Sequence, residues 1–178
     1  MIAGAINRNS AIIKLNKDTG QPVFVRIHGN GGYDAYEHLA QLGELIVAVG
    51  YTNAEDRNNT FFAEGRGYMA FLNPAGEKTG ISLGDDLAQA YRVAARDGEL
   101  IVSGLAWSED DDLDFTVLKL DGSGNLIWKR SFGGSRDDHC FGMDLGVDGS
   151  IFLTGHTLSG TTNWQTYTMK LDSDGILQ

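Results

Sequence analysis

A short pattern that recurs four times along the 178-residue chain restricts its fold more than any other feature. Each copy ends in leucine followed by Asn or Asp, and a glycine follows that leucine four or five positions later. The copies are IKLN at 13–16, AFLN at 70–73, LKLD at 118–121 and MKLD at 169–172. Because glycine adopts a positive φ without steric cost, an Asn or Asp followed by such a glycine predicts a hairpin turn after each copy.

A second pattern with a central glycine also recurs four times, as IAGA at 2–5, VAVGYT at 47–52, IVSGL at 101–105 and FLTGHT at 152–157. Its glycines are 46, 54 and 51 residues apart, and the leucines of the first pattern are 57, 48 and 51 residues apart. Two independent markers therefore share a period of about fifty residues, which is the length of a β-propeller blade.

Each period contains four short runs of β-branched and aromatic residues, bounded by Gly, Asn, Asp or Ser, which predicts strands and turns. The clearest runs are 115–120, 126–132, 141–147 and 151–155. Four strands joined in sequence form an antiparallel blade, whose strands we name A to D in chain order. The sequence thus predicts an all-β propeller in one domain, 1–178, with blades at about 1–35, 36–86, 87–138 and 139–178, the first lacking strand A.

The predicted blades leave open edges at both ends, because the first has no strand A and the fourth stops inside strand D at 176–178. Unpaired strand edges invite association with another strand. Two expectations follow and stay open at this point. Either adjoining blades of a longer chain complete the propeller, or two copies associate to complete one ring.

The charge and cysteine content exclude several classes of function. The formal net charge of −10 disfavours binding to nucleic acid and to anionic membrane surfaces.

The sequence contains no run of about 20 apolar residues that would predict membrane insertion, and its first residues do not form a signal peptide. The single cysteine, Cys140, has no partner for an internal disulfide and is predicted to be a small packing residue.

The third and fourth periods carry WKRSFGG at 128–134, DD at 137–138, DGSI at 148–151, GHT at 155–157 and KLD at 170–172. This succession resembles the bacterial β-propeller repeat family. Phe24 replaces the tryptophan in the first period, and the second period departs further at 81–86. The resemblance implies a secreted or surface-attached interaction module without shared catalytic residues, in which Trp128 packs between blades and Gly133-Gly134 forms a tight turn.

The loops that join strands B and C, at 53–59, 106–112 and 158–163, vary most, and variable loops on a rigid scaffold commonly carry function. Trp107 and Trp164 lie in or beside two of these loops, where they could bind a glycan or a peptide. The alternative is that each ring folds back over its own blade. On the same predicted face, His139 lies beside Asp137 and Asp138, where it could titrate near neutral pH or simply decorate a turn.

The loop at 108–114 is the most acidic segment of the chain. Asp110, Asp112 and Asp114 offer the oxygen ligands that Ca²⁺ prefers, although the spacing of a known calcium loop is missing. Weak Ca²⁺ binding is therefore one prediction, and a solvated acidic loop is the other. No further cofactor is predicted, because the four histidines show no zinc-binding spacing and no nucleophile elbow is present.

These patterns predict a non-enzymatic binding or scaffolding module with a protein or glycan ligand. The alternative is an enzyme that acts on polysaccharides with paired carboxylates such as Asp34 and Asp138, since glycoside hydrolysis requires two carboxyl groups across a cleft. A third possibility is a purely structural repeat of a larger surface protein. An extracellular or cell-surface location is implied by the family resemblance alone.

Overall fold

The computed structural model describes residues 1–29, 32–54, 65–82 and 86–178, and these ranges contain fourteen strands and no helix. The strands are β1 Ile2–Ile6, β2 Asn9–Leu15, β3 Pro22–His28, β4 Tyr33–Leu42, β5 Leu45–Ala54, β6 Arg66–Leu72, β7 Lys78–Ser82, β8 Gln89–Arg96, β9 Glu99–Trp107, β10 Leu113–Leu120, β11 Leu126–Phe132, β12 Asp138–Leu145, β13 Ile151–Thr157 and β14 Gln165–Leu171. The predicted loop at 53–59 lies largely outside the described residues. In the described ranges, no helix is long and apolar enough to span a membrane.

The chain divides into two compact units, Met1–Ala90 and Tyr91–Gln178. The first unit holds the sheets β1-β2-β3 and β4-β5-β6-β7, which we call sheets one and two. The sheets β8-β9-β10-β11 and β12-β13-β14, which we call sheets three and four, belong to the second unit except for the first residues of β8. Neighbouring strands are consecutive in sequence, so the predicted all-β architecture of four antiparallel sheets is confirmed, with three strands in sheet one. A single bridge from Leu171 to Leu177 follows β14.

Each unit buries its own core, to which both of its sheets contribute. In the first unit, Ile12 of sheet one packs with Tyr36, Ala48 and Leu72 of sheet two. The second unit buries a corresponding cluster, whose members are Ile101, Phe115 and Val117 of sheet three and Cys140, Ile151, Leu153, Met169 and Leu171 of sheet four. Burial raises the pKa of the Cys140 thiol to about 12, as expected for a packing residue.

The predicted hairpin turns are present after each copy of the first pattern. In the turn after β10, Asp121 Oδ1 accepts hydrogen bonds from the backbone N–H groups of Ser123 and Asn125, at 2.8 and 2.9 Å. Asn16, Asn73 and Asp172 accept backbone hydrogen bonds in the same way. Gly20, Gly76, Gly124 and Gly175 adopt positive φ at these turns. The side-chain acceptor and the glycine together fix the hairpin geometry.

One aromatic contact recurs between the two sheets of each unit. The ring of Phe24, on the last strand of sheet one, lies against Gly76 in a hairpin of sheet two, and a Cβ at Gly76 would come within 2.7 Å of that ring. Likewise, the ring of Trp128 lies against Gly175, where a Cβ would come within 2.9 Å of it. Trp128 is therefore a packing residue, as predicted, and glycine is needed at the turn for space as well as for φ.

Replacement of Gly76 by alanine tests this contact against a matched control, Gly20→Ala. Both glycines have positive φ, 78° and 69°, so alanine is strained at either position. Only Gly76→Ala also drives a methyl group into Phe24 and Ile12, whereas nothing lies within 4 Å of a Cβ at Gly20. We expect Gly76→Ala to lower the free energy of unfolding by about 1–3 kcal/mol more than Gly20→Ala, measured by denaturant titration. If both variants lost the same free energy of unfolding, the packing of Phe24 against Gly76 would not contribute to stability.

Candidate functional site

Three loops of the second unit are hydrogen-bonded to one another, and they carry most of the predicted site residues. The loop between β9 and β10 is attached where the Leu113 N–H donates to Asp137 Oδ1 at 3.1 Å. The loop between β13 and β14 is attached where the Leu158 N–H donates to the Asp137 carbonyl at 3.0 Å and the Arg136 N–H donates to Ser159 Oγ at 3.3 Å. Asp137 thus joins the three loops, and its carboxylate has a structural role.

An aromatic cluster lies beside these loops and consists of His139, Phe141, His156 and Trp164. His139 and His156 face each other across β12 and β13, and their Nδ1 and Nε2 atoms are 2.9 Å apart. The Trp164 ring centroid lies 4.6 Å from that of His139 and 4.2 Å from that of His156. His139 is buried, whereas Trp164 is 42% exposed. The two imidazoles therefore support an indole ring that remains open to solvent.

Local strand irregularity positions the cluster. The register of β12 and β13 shifts between Cys140 and Gly142, so Phe141 is the extra residue of a β-bulge. Gly155 lies opposite, where a Cβ would overlap the His139 carbonyl oxygen. A bulge bends its strand and re-aims the side chains beside it. His139 and Phe141 are consequently both in ring contact with His156, at centroid distances of 5.0 and 5.1 Å.

Burial favours the neutral form of both imidazoles of the cluster. The pKa of His139 is lowered to about 4, mainly by burial and also by the charge of His156, against the opposing effect of Asp137 and Asp138. Burial also lowers the pKa of His156. One ring can then donate an N–H to the other, because a neutral imidazole has one donor and one acceptor nitrogen. Both sequence-based expectations for His139 are wrong: the ring is buried in β12, so it does not decorate an exposed turn, and burial lowers its pKa away from the neutral range.

Trp107, the other predicted aromatic site residue, lies at the end of β9 and is 51% exposed. It pairs with Leu113 across β9 and β10 and does not belong to the aromatic cluster. Trp164, in contrast, folds onto the side chains of its own sheet, as one of the two sequence-based alternatives predicts, and still exposes part of its surface. The structure therefore distinguishes two tryptophans that the sequence treats as equivalent.

Asp112, Asp114 and Asp138 form a carboxylate group, in which the charges of Asp112 and Asp138 both act on Asp114 and oxygens of Asp114 and Asp138 lie next to Gly133. Asp138 is only 1% exposed, and its Oδ2 accepts hydrogen bonds from the Gly134 N–H at 2.9 Å and from Ser159 Oγ at 2.8 Å. Asp112 Oδ1 accepts a hydrogen bond from the Ser108 hydroxyl. One oxygen of each of the three carboxylates is buried without a hydrogen-bond partner, namely Asp112 Oδ2, Asp114 Oδ1 and Asp138 Oδ1.

The predicted calcium ligands are thus grouped differently from the sequence-based proposal. The pKa of Asp114 is raised to about 6, mainly by burial and also by the charges of Asp112, Asp138 and Asp110. Asp110 itself is exposed. In the part of the chain that the structure describes, no group of three or more His, Cys, Asp or Glu side chains is arranged to hold a metal ion.

The carboxylates proposed for glycoside hydrolysis, Asp34 and Asp138, belong to different units. Asp34 is buried in the first unit, and its Oδ1 accepts a hydrogen bond from the Thr52 hydroxyl at 2.5 Å. Each of the two carboxylates therefore binds a hydroxyl group of its own unit. This arrangement is typical of side chains that stabilise the ends of strands.

Sequence reasoning missed four residues that build the site: Phe141, His156, Ser159 and Gly133. The GHT motif at 155–157 does place His156 at a position defined by the repeat, so this signal was present in the sequence. Its pairing with His139 depends on strand register, which one sequence does not give. Comparison with models of known protein families and with curated proteins found no match to this chain.

The lowered pKa values of the histidine pair predict a loss of stability in acid. Between pH 6.5 and about 4 the unfolded chain binds protons that the folded chain excludes, so the free energy of unfolding falls as the pH falls. His156→Gln removes one of these groups and also removes the charge that lowers the pKa of His139. We expect this variant to lose less stability than the wild type between pH 7 and pH 4.5.

Denaturant unfolding across this pH range in chelator-containing buffer measures the effect. His38→Gln, in the first unit, controls for the loss of any histidine. A pH dependence in His156→Gln as steep as that of the wild type would contradict the prediction.

Proposed function

We propose that the chain is a non-enzymatic binding or scaffolding module whose four sheets are blades of a β-propeller. Three observations support this arrangement. Consecutive strands form antiparallel sheets, each sheet corresponds to one sequence period, and the same aromatic contact joins the paired sheets of both units. A propeller built from these sheets would present the loops between second and third strands on one face, where ligands can bind.

Trp164 carries the proposal of ligand binding. Its indole is 42% exposed, and the rings of His139 and His156 hold it in a fixed orientation. An aromatic surface that is already ordered binds a ligand at little cost in conformational entropy. Tryptophan is also among the residues most enriched at binding hot spots.

The polar surroundings of the indole favour a glycan over an apolar peptide. Arg136 reaches across to the Thr161 carbonyl at 2.9 Å, and Thr161 Oγ1 donates to the Asn163 carbonyl at 2.7 Å. Arg136 is exposed and Thr161 is half-buried, so polar groups line the loop that leads to Trp164. Apolar ring surface beside such groups matches a sugar, which has C–H faces and hydroxyl edges. We propose a neutral glycan as the ligand and a protein segment as the alternative.

Asp34 and Asp138 both have structural roles. For this reason an enzyme that acts on polysaccharides is the weaker candidate for the function. Asp138 is 1% exposed and its Oδ2 accepts two hydrogen bonds from its own loops, whereas a general acid or nucleophile must reach a substrate. The proposed binding module does not require either carboxylate to be accessible.

The proposal extends to partners and location. β1 forms one edge of sheet one, and β14 is followed in its sheet by a single bridge. We propose that adjoining blades or a second copy of the chain pair with these edges. The resemblance to bacterial propeller repeats supports a place on the outside of the cell.

A glycan array probed with the wild type, Trp164→Ala and Trp107→Ala tests ligand binding. We expect Trp164→Ala to lose at least tenfold in affinity, because it removes the supported ring. Trp107→Ala removes an equally exposed tryptophan outside the aromatic cluster and should retain affinity within about threefold.

Isothermal titration with the best array ligand gives the dissociation constants. Unchanged binding in Trp164→Ala would refute the role of this ring. Equal losses in both variants would indicate non-specific adsorption instead. Binding to immobilised peptides but to no glycan would overturn the choice of ligand class.

A further inference from the structure

We propose that Asp114 and Asp138 bind a Ca²⁺ ion beside Gly133, at a site separate from the aromatic cluster. This inference does not depend on the proposed glycan ligand. It also differs from the sequence-based calcium loop, because Asp138 on β12 takes the place of Asp110 and the site joins two loops. The argument rests on the convergence of two carboxylates and on buried oxygen atoms that lack partners.

The two carboxylates converge on one small space. Asp114 Oδ1 and Asp138 Oδ2 both lie within 3.0 Å of the point at which a side chain at Gly133 would begin. A Cβ at this position would overlap the Asp114 oxygen, so only glycine leaves room for that oxygen beside the Asp138 carboxylate. Gly133 follows β11, Asp138 begins β12 and Asp114 lies at the start of β10. The topology therefore brings together carboxylates that are 24 residues apart in sequence.

Buried oxygen atoms without partners are the second, independent observation. Asp138 is 1% exposed and Asp112 is 9% exposed, yet Asp138 Oδ1 and Asp112 Oδ2 accept no hydrogen bond. Asp114 Oδ1 has no partner either. A buried carboxylate without a partner is costly unless a positive charge or a proton compensates it. Asp112, Asp114 and Asp138 take no part in the ion pairs of Lys17 with Asp18, Arg96 with Asp97 or Lys119 with Glu99.

The type of ligand atom favours Ca²⁺ over other metal ions. All three groups offer hard oxygen atoms, which suit Ca²⁺ and Mg²⁺ rather than zinc or copper. Ca²⁺ tolerates irregular sets of six to eight oxygens, whereas Mg²⁺ requires a near-octahedral set. Because no three carboxylates here form a closed metal site, the ion would take two carboxylates and complete its coordination with carbonyl oxygens and water. Asp112 contributes its negative charge nearby.

Titration of chelator-treated protein with CaCl₂ tests the site. We expect saturable binding with a dissociation constant on the order of 10⁻⁴ to 10⁻³ M, as in extracellular calcium modules. At 10 mM Ca²⁺ the midpoint of thermal unfolding should rise by a few degrees. NaCl at equal ionic strength should have a clearly smaller effect, and MgCl₂ should bind at least fivefold more weakly.

Two isosteric variants separate the site from general screening of the acidic loop. Asp114→Asn should weaken Ca²⁺ binding at least tenfold, whereas Asp110→Asn, an exposed carboxylate of the same loop, should bind within twofold of the wild type. If Asp114→Asn does not fold, as judged by circular dichroism, Asp138→Asn replaces it. A flat titration of the wild type would overturn the proposal, as would equal losses in the two loop variants or an equal response to NaCl.

Discussion

The packing of one aromatic ring against a glycine turn holds the two sheets of each unit together. A single antiparallel sheet cannot bury both of its faces, so each sheet needs a neighbour to cover it. Phe24 and Trp128 lie at equivalent positions, opposite Lys14 and Lys119, and each ring lies against a hairpin glycine of the next sheet. The cores of both units draw side chains from both of their sheets. The ring contact adds to these shared cores, which support the strands that carry the site loops.

The repeat made the fold predictable because it encodes local geometry. Positive φ at Gly76 or Gly175 and an Asx acceptor such as Asp121 act within a few residues, so sequence alone predicts these turns. The aromatic contact was predictable only where the repeat is well preserved, as at Trp128. β7 has Gly80 opposite Phe71, the position that Phe24 and Trp128 occupy in their own sheets. One sequence does not reveal whether such a departure is tolerated or functional.

The candidate site was less predictable because strand register and loop contacts create it. The bulge at Phe141 brings His139 into contact with His156, and no local pattern indicates that pairing. In the acidic loop, the sequence suggested adjacent carboxylates as partners. Asp111 instead takes a positive φ of 61° in a turn, which leaves Asp110 exposed while Asp112 is buried. The carboxylate that joins the group comes from β12, a contact that requires the tertiary structure.

Ser159 links the carboxylate group to the aromatic cluster. Its hydroxyl lies within hydrogen-bonding distance of Asp138 Oδ2 and of the Arg136 carbonyl, and its loop leads directly to Trp164. The cation proposed at Asp138 would therefore act on the same loop that leads to the indole. Any coupling between a cation and a ligand at Trp164 must be reciprocal, since each would stabilise the loop conformation that the other requires. Under the two proposals, neutralising one buried carboxylate would order a binding loop without direct contact with the ligand.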